Sequence, residues 1–262
     1  MAASLLRNRD LILQLTKRDV VGRYKGSVLG VFWSFLNPII LLVVYTFVFS
    51  VVFKAKWGGV DEDRAQFAVV LFAGMIIHSL FSEVLLRAPT LIVSNASYVS
   101  KILFPIEILP VITMGTAFFH ALVSILVLAV AIMVISGSLP LTIVWVPLIL
   151  MPLILMALGF AWGIASLGVF LRDVAQPIGL LMTVLLFASP VFYPISALPE
   201  GIQPWLLLNP LTFIIEQMRA VMIYGRVPNF GTWSLYSVVS IFVAWGGYAW
   251  FQKTRKGFAN VL

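Results

Sequence analysis

Six apolar stretches, each close to the length of a bilayer crossing, fill most of this chain: residues 31–53, 67–86, 107–135, 141–169, 177–193 and 233–251. A helix rises 1.5 Å per residue, so about 20 apolar residues cross the ~30 Å hydrocarbon layer. No water is available at that depth. Each backbone N–H and C=O must therefore be satisfied within its own segment, which leaves the helix as the form for runs of this length. Little sequence is left over for a soluble domain. Only 10% of the 262 residues are charged, against about 25% in a soluble protein, and mean hydropathy is +1.07. The sequence predicts an all-α integral membrane protein with six transmembrane helices. It forms a single domain over 1–262, with an interface helix region at 1–30 and the six-span part with its tail at 31–262.

The stretch 194–232 is apolar but broken by Pro199, Pro204, Pro210 and Pro228. Irregular backbone at membrane depth has to be sheltered by protein. The expectation is short re-entrant helices between spans five and six that dip into the outer leaflet. Charge sets the orientation. With both termini cytoplasmic, twelve of the 17 Lys and Arg fall inside. Lys54, Lys56, Arg64, Arg219 and Arg226 fall outside. That asymmetry is the one the positive-inside rule favours. The net charge of +7 is thus accounted for by membrane topology, and no nucleic-acid partner is needed.

Several chemistries are excluded. There is no Cys, so no thiol nucleophile or disulfide exists. The dipeptide Gly-Lys does not occur, and with it goes the phosphate-cradling G-x-x-x-x-G-K-[ST] loop. No H-E-x-x-H or G-x-S-x-G occurs either. No catalytic residue and no metal ligand set is expected. His78 and His120 lie in different spans, as packed or hydrogen-bonded helix residues. Glu83 and Glu107 sit near the inner ends of spans two and three, and Glu83 can pair with Arg87 four residues on. A carrier driven by an ion gradient places acidic groups at mid-membrane, so a stand-alone secondary transporter is the weaker reading.

Some segments have a readable mechanism. In residues 4–21, Leu5, Ile12, Leu13 and Val20 share one helical face, opposite Arg7, Asp10, Gln14, Lys17 and Arg18. This reads as an amphipathic interface helix on the inner leaflet or as an ordinary basic flank. Gly22, Gly26 and Gly30 recur every fourth residue, a spacing that admits close helix approach. Trp33 falls at interface depth, and Pro38 should kink span one. The loop Ser94–Pro105 has room for a short helix projecting into the cytoplasm, or it is a plain connector. Arg172 and Asp173 form the charged pair of the next cytoplasmic loop, with a helix cap and membrane anchor as the default role. Gly159 and Gly163 mark close helix packing. Tyr45, Phe49 and Phe53 share one face of span one, and span five ends in Phe192 and Tyr193. Such stripes serve packing, or they line a pore in which sugar C–H faces stack on rings and slide.

Taken together and in order, several segments resemble a known family. They are Arg23 to Pro38, Lys101-Ile102-Leu103-Phe104-Pro105, Phe170-Leu171-Arg172-Asp173-Val174, Ser189-Pro190-Val191-Phe192-Tyr193-Pro194, Leu208-Asn209-Pro210-Leu211 and the tail from Lys256 to Leu262. The chain resembles the polysaccharide and polyol-phosphate ABC exporter permeases, which export O-antigen, capsule and teichoic acid. The tail departs in carrying Asn260 where an acidic residue is expected. The resemblance implies a bacterial inner-membrane homodimer docked to two copies of a separate ATPase. That partner would bind ATP and Mg, and this chain would carry no cofactor. The cargo would be polysaccharide on undecaprenyl diphosphate, with capsule or teichoic acid as the alternative. Asn95, Ser97, Tyr98, Lys101, Phe104 and Pro105 would couple to the ATPase, together with residues 4–21. Tyr45, Phe49, Phe53, Phe192 and Tyr193 would line a channel between protomers. Arg23, Lys25 and Lys101 are the candidates for holding the lipid diphosphate, because guanidinium and ammonium groups are natural phosphate ligands.

Overall fold

The computed structural model describes residues 2–52, 64–99 and 104–261. Phe53, Lys54, Lys56 and Lys101 lie outside the described residues. The described chain is mostly helical, and no strand occurs among the described residues. Its α-helices are α1 Ala2–Arg7, α2 Arg9–Arg23, α3 Trp33–Tyr45, α4 Arg64–Leu91, α5 Ala96–Val99, α6 Leu109–Ser136, α7 Val146–Phe170, α8 Ala175–Ala188, α9 Gln203–Leu206, α10 Thr212–Met222 and α11 Phe230–Thr254.

Five of these, extended by flanking helical turns, are long and apolar enough to cross a membrane: Gly30–Phe49, Gln66–Leu91, Ile106–Ser136, Leu141–Phe170 and Phe230–Phe258. The expected fifth crossing at 177–193 is instead α8, with 14 residues and a length of about 21 Å. Pro190 is the reason. It removes an N–H, and its ring pushes the preceding residue out of helical geometry. Ser189 accordingly closes α8 at φ −93° and ψ 152°.

The path of the chain still runs from one end of the bundle to the other across this region. Phe170 at the end of α7 packs on Phe258 in the tail. Trp145 before α7 packs on Phe230 at the start of α11. The chain from 171 to 229 thus leaves one end and arrives at the opposite one. The two termini share an end. Glu107, 5% exposed, accepts from Ser4 Oγ at 2.9 Å and from Arg255 Nη1 at 3.1 Å. The Trp162 indole donates to the Glu107 carbonyl at 2.9 Å. A buried carboxylate is costly unless paired; here the Glu107 carboxylate ties α1 and the tail, and its backbone carbonyl ties α7, to the start of α6.

α4 is the hub of the bundle. In its most apolar window 78% of residues are buried, against 11% for the Gly30–Phe49 helix and 17% for Phe230–Phe258. α4 packs on α3, α6, α7, α8 and α10, while α11 lies along α7. Gly159 and Gly247 make that last pairing possible. A Cβ on Gly159 would fall within 2.6 Å of the Val243 carbonyl carbon, and Gly247 meets the Gly159 backbone. Gly163 faces open space, so half of the G-x-x-x-G pattern serves packing within the chain.

Among the described residues, the glycine series before the first span packs against no neighbouring helix of this chain. Added Cβ atoms on Gly22, Gly26 and Gly30 would meet nothing within 4 Å. Gly26 and Gly30 instead sit at φ +88° and +52°, the left-handed region glycine adopts without steric cost. They turn the chain from α2 into the membrane helix. α3 carries Pro38 inside it and passes into a π-type turn at Thr46–Val52.

Candidate functional site

The polar residues of the bundle gather at the end where the termini lie, between α2, α4 and α6. α2 is basic and carries one acid in its second half, Asp19. Asp19 accepts from Arg87 Nη2 of α4 at 2.8 and 3.0 Å and from Thr116 Oγ1 of α6 at 2.8 Å. One turn later Arg23 Nη2 meets Glu83 Oε1 at 2.8 Å. The expected pair of Glu83 with Arg87 is present but long, at 4.0 Å. Glu83 also lies 3.1 Å from His120 Nδ1. Arg23 Nη1 lies 3.0 Å from the same Nδ1, and the Tyr24 hydroxyl lies 3.2 Å from Nε2. Burial pushes the Tyr24 pKa up, opposed by the adjacent Arg23 charge, so this hydroxyl stays protonated at physiological pH.

The network walls two recesses that meet at Arg23. A pocket of about 190 Å³ lies on the membrane side, lined by Arg23, Tyr24, Asn37, Tyr45, Glu83 and His120 among others. A larger recess of about 630 Å³ opens between α2 and the α4–α6 connection, with Arg18, Asp19, Arg87, Asn95 and Tyr98 on its walls. Lys25 is exposed just beyond α2. Of the three cations considered for a diphosphate headgroup, Arg23 is therefore in an ion pair, Lys25 is exposed, and Lys101 is undescribed.

The connection between α4 and α6 does form helical turns, at Val93–Asn95 and Ala96–Val99. Asn95 Nδ2 caps the preceding helix through the Leu91 carbonyl at 2.9 Å, and Ser97 is exposed. Tyr98 stacks on Phe104 with centroids 4.4 Å apart, next to Pro105. Arg18 Nη2 donates to the Tyr98 hydroxyl at 2.7 Å. The two segments expected to meet an ATPase are thus joined to each other. On the apolar side of α1 and α2, Val20 is buried and Leu5 and Ile12 pack against the core. Leu13 is exposed, and Leu11 and Leu15 take its place. Arg172 and Asp173 are exposed in a single turn at 172–174, and the flanking N-cap positions, Leu171 and Val174, make no side-chain cap bond.

Toward the far end the rings converge. Phe49 stacks on Phe192 with centroids at 5.9 Å and lies 6.5 Å from Tyr45 and 5.7 Å from Phe67. Phe187 also stacks on Phe192, at 5.7 Å. Tyr193 turns back, its hydroxyl donating to the Phe187 carbonyl at 3.0 Å. Two motifs quoted separately from the sequence are bonded here. Asn209 Nδ2 donates to Ser189 Oγ at 2.9 Å and to the Ala188 carbonyl at 3.1 Å.

Sequence reasoning missed Asp19, Thr116 and the buried Arg219. A single acid in the second half of a basic pre-membrane helix is the signal that could have found Asp19. For Thr116 there was none. Among the described residues, no group of three His, Asp or Glu could hold a metal.

Long apolar helices packed around α4, with a network of paired charges at the end where the termini lie, define an α-helical, multi-pass membrane protein. The chain belongs to the ABC-2 type transporter family, which matches residues 10–223. It is 25% identical over 264 residues to the O-antigen export system permease protein RfbA of Myxococcus xanthus, covering 100% of this chain and 99% of that one. Two Klebsiella pneumoniae proteins of the same name are 25% and 26% identical over 254 residues, each covering 97% of this chain and 95% of the relative.

Proposed function

We propose that this chain is the membrane subunit of an ABC exporter that moves undecaprenyl-diphosphate-linked polysaccharide of the O-antigen type across the bacterial inner membrane. The observation that carries the reading is the end-to-end likeness to O-antigen export permeases. A separate ATPase supplies the energy and holds ATP and Mg, in keeping with the absence of a phosphate loop from this sequence. Two permease chains and two ATPases form the working unit, and the channel lies between the permeases.

The topology in this reading has six crossings and cytoplasmic termini. The meeting of Ser4 and Arg255 at Glu107 supports an even number of crossings. α8 and the bend after it make the fifth, with α9 and α10 dipping into the outer leaflet. Tyr45, Phe49, Phe53, Phe192 and Tyr193 line the channel. Lys25, Lys101 and Arg23, once released from Glu83, meet the diphosphate. Residues 93–105 and α2 receive the motion of the ATPase.

The test is genetic and biochemical. Deleting the gene should trap finished lipid-linked polymer in the cytoplasm, and an ATPase encoded nearby should co-purify with the tagged chain. Normal surface polymer in the deletion strain would sink the proposal. Ala at Tyr45 or Phe49 should slow export at unchanged protein level; full export in both returns these rings to a packing role.

A further inference from the structure

At the far end of the bundle a single guanidinium is enclosed by three segments. Arg219 of α10 is 1% exposed. Its Nε donates to the Val70 carbonyl near the start of α4 at 3.1 Å. Its Nη2 donates to the Val191 carbonyl at 3.0 Å, and its Nη1 to Glu216 Oε1 at 2.8 Å. Burying this charge is costly unless the donors are well satisfied. The planar fork lets one side chain reach divergent acceptors, which a lysine ammonium cannot reproduce.

The acceptor at Val191 is not an arbitrary carbonyl. It belongs to the turn that Pro190 forces on the chain, closed by the Val191 N–H donating to the Ser189 carbonyl at 2.7 Å. Phe192, the next residue, is the ring that stacks with both Phe49 and Phe187. Gly74 on α4 makes room for the arrangement. A Cβ there would lie 3.0 Å from Arg219 Nη2 and 3.3 Å from the Val191 Cα.

We infer that Arg219 is a positioning residue for the far-end aromatic cluster: it anchors the bend after α8 to α4 and so sets where Phe192 meets Phe49. Its meaning for transport rests on the exporter reading above, in which that cluster is part of the channel. The geometry itself can be tested without transport.

The chain has no Cys, so introduced pairs report alone. Phe49→Cys with Phe192→Cys probes the cluster. Trp145→Cys with Phe230→Cys, whose native rings sit 5.4 Å apart, probes a far-end contact that does not involve Arg219. Each pair is treated in membranes with a short bifunctional thiol reagent, in the parent and with Arg219→Lys or Gly74→Ala. Losing one charge-assisted hydrogen bond shifts a local equilibrium by about tenfold. The expected result is a comparable fall in cross-linking at 49/192 in both variants, with 145/230 unchanged. Unchanged cross-linking at 49/192 in both variants overturns the inference. So does an equal fall in both pairs, because Arg219 would then be holding the whole end together. If the cross-links behave as expected but a deletion strain exports polymer normally, the positioning role stands and the exporter reading falls.

Discussion

At the end shared by the termini, α2 is held to α4 and α6 by paired charges. At the far end, α10 is held to α4 by a charge aimed at backbone carbonyls. The surroundings differ as much as the partners. Arg23 and Glu83 are 42% and 19% exposed, and Arg87 and Asp19 are each 32% exposed, whereas the Arg219 side chain is 1% exposed. Partly wet ion pairs have alternatives: water, salt ions or an incoming anion can take either partner's place. A buried guanidinium that donates to two backbone carbonyls as well as to Glu216 is far less open to such exchange, so it holds a bend in one geometry. The first arrangement suits a joint that must move when something docks on α2. The second suits a support that must stay put while the joint moves.

The sharpest way to break this contrast is to remove the carboxylate on which the wet joint converges. Glu83→Ala leaves Arg23 and His120 facing each other, with Nη1 of one 3.0 Å from Nδ1 of the other. The expected cost is about 3 kcal/mol, that of stripping one partner from a half-buried ion pair. It should appear as a lower thermal unfolding midpoint in detergent. A midpoint equal to the parent's would mean the pairs are already loosened by solvent.

The next effect belongs to the far end. Asn209→Ala removes two donations to 188–189 and the acceptance of the Leu211 N–H at 2.9 Å. A loss of about 2 kcal/mol follows for hydrogen bonds in this half-buried site, read from the same melting curve. Salt then separates the two ends without mutation. Raising ionic strength from about 0.1 M to about 1 M shortens the screening length from ~10 Å to ~3 Å, and exposed pairs feel it far more than buried ones. Amide hydrogen exchange in α2 should quicken while exchange in α10 holds. Equal acceleration in both would erase the distinction.

What could be read from sequence divides along the same line. The long helices follow from apolar run length, and the Pro-broken region from its prolines, since both are local properties. The shortening of the fifth crossing was also local in cause: Pro190 stands at its end, but apolar composition continues through Phe192, and composition does not register a lost N–H. The joint was not local. Glu83 and Arg87, four apart on one helix, could be paired from sequence, yet in the fold each finds its closer partner on α2. Arg23 read as a free cation for phosphate because no pattern along the chain shows its carboxylate. Arg219 read as one of five outer cations. Its burial depends on Gly74 leaving a space and on Pro190 freeing a carbonyl, two facts that meet only in the folded chain.

The smallest expected effect tests whether the joint reaches the α4–α6 connection. Arg18 and Tyr98 are joined by one exposed hydrogen bond of 2.7 Å, worth about 0.5–1 kcal/mol. Tyr98→Phe deletes the hydroxyl and keeps the ring that stacks on Phe104. Global stability should therefore barely change. Exchange of the amides in Val93–Val99 should still rise by a few-fold, and in the proposed exporter ATP hydrolysis should lose part of its coupling to export. If α2 and this connection move as one body, exchange in α2 should quicken in the same variant, although the substitution lies outside it. Acceleration confined to Val93–Val99 would show two separate elements that merely touch. The joint would then end at Arg87, and only α2 would deliver force to α4.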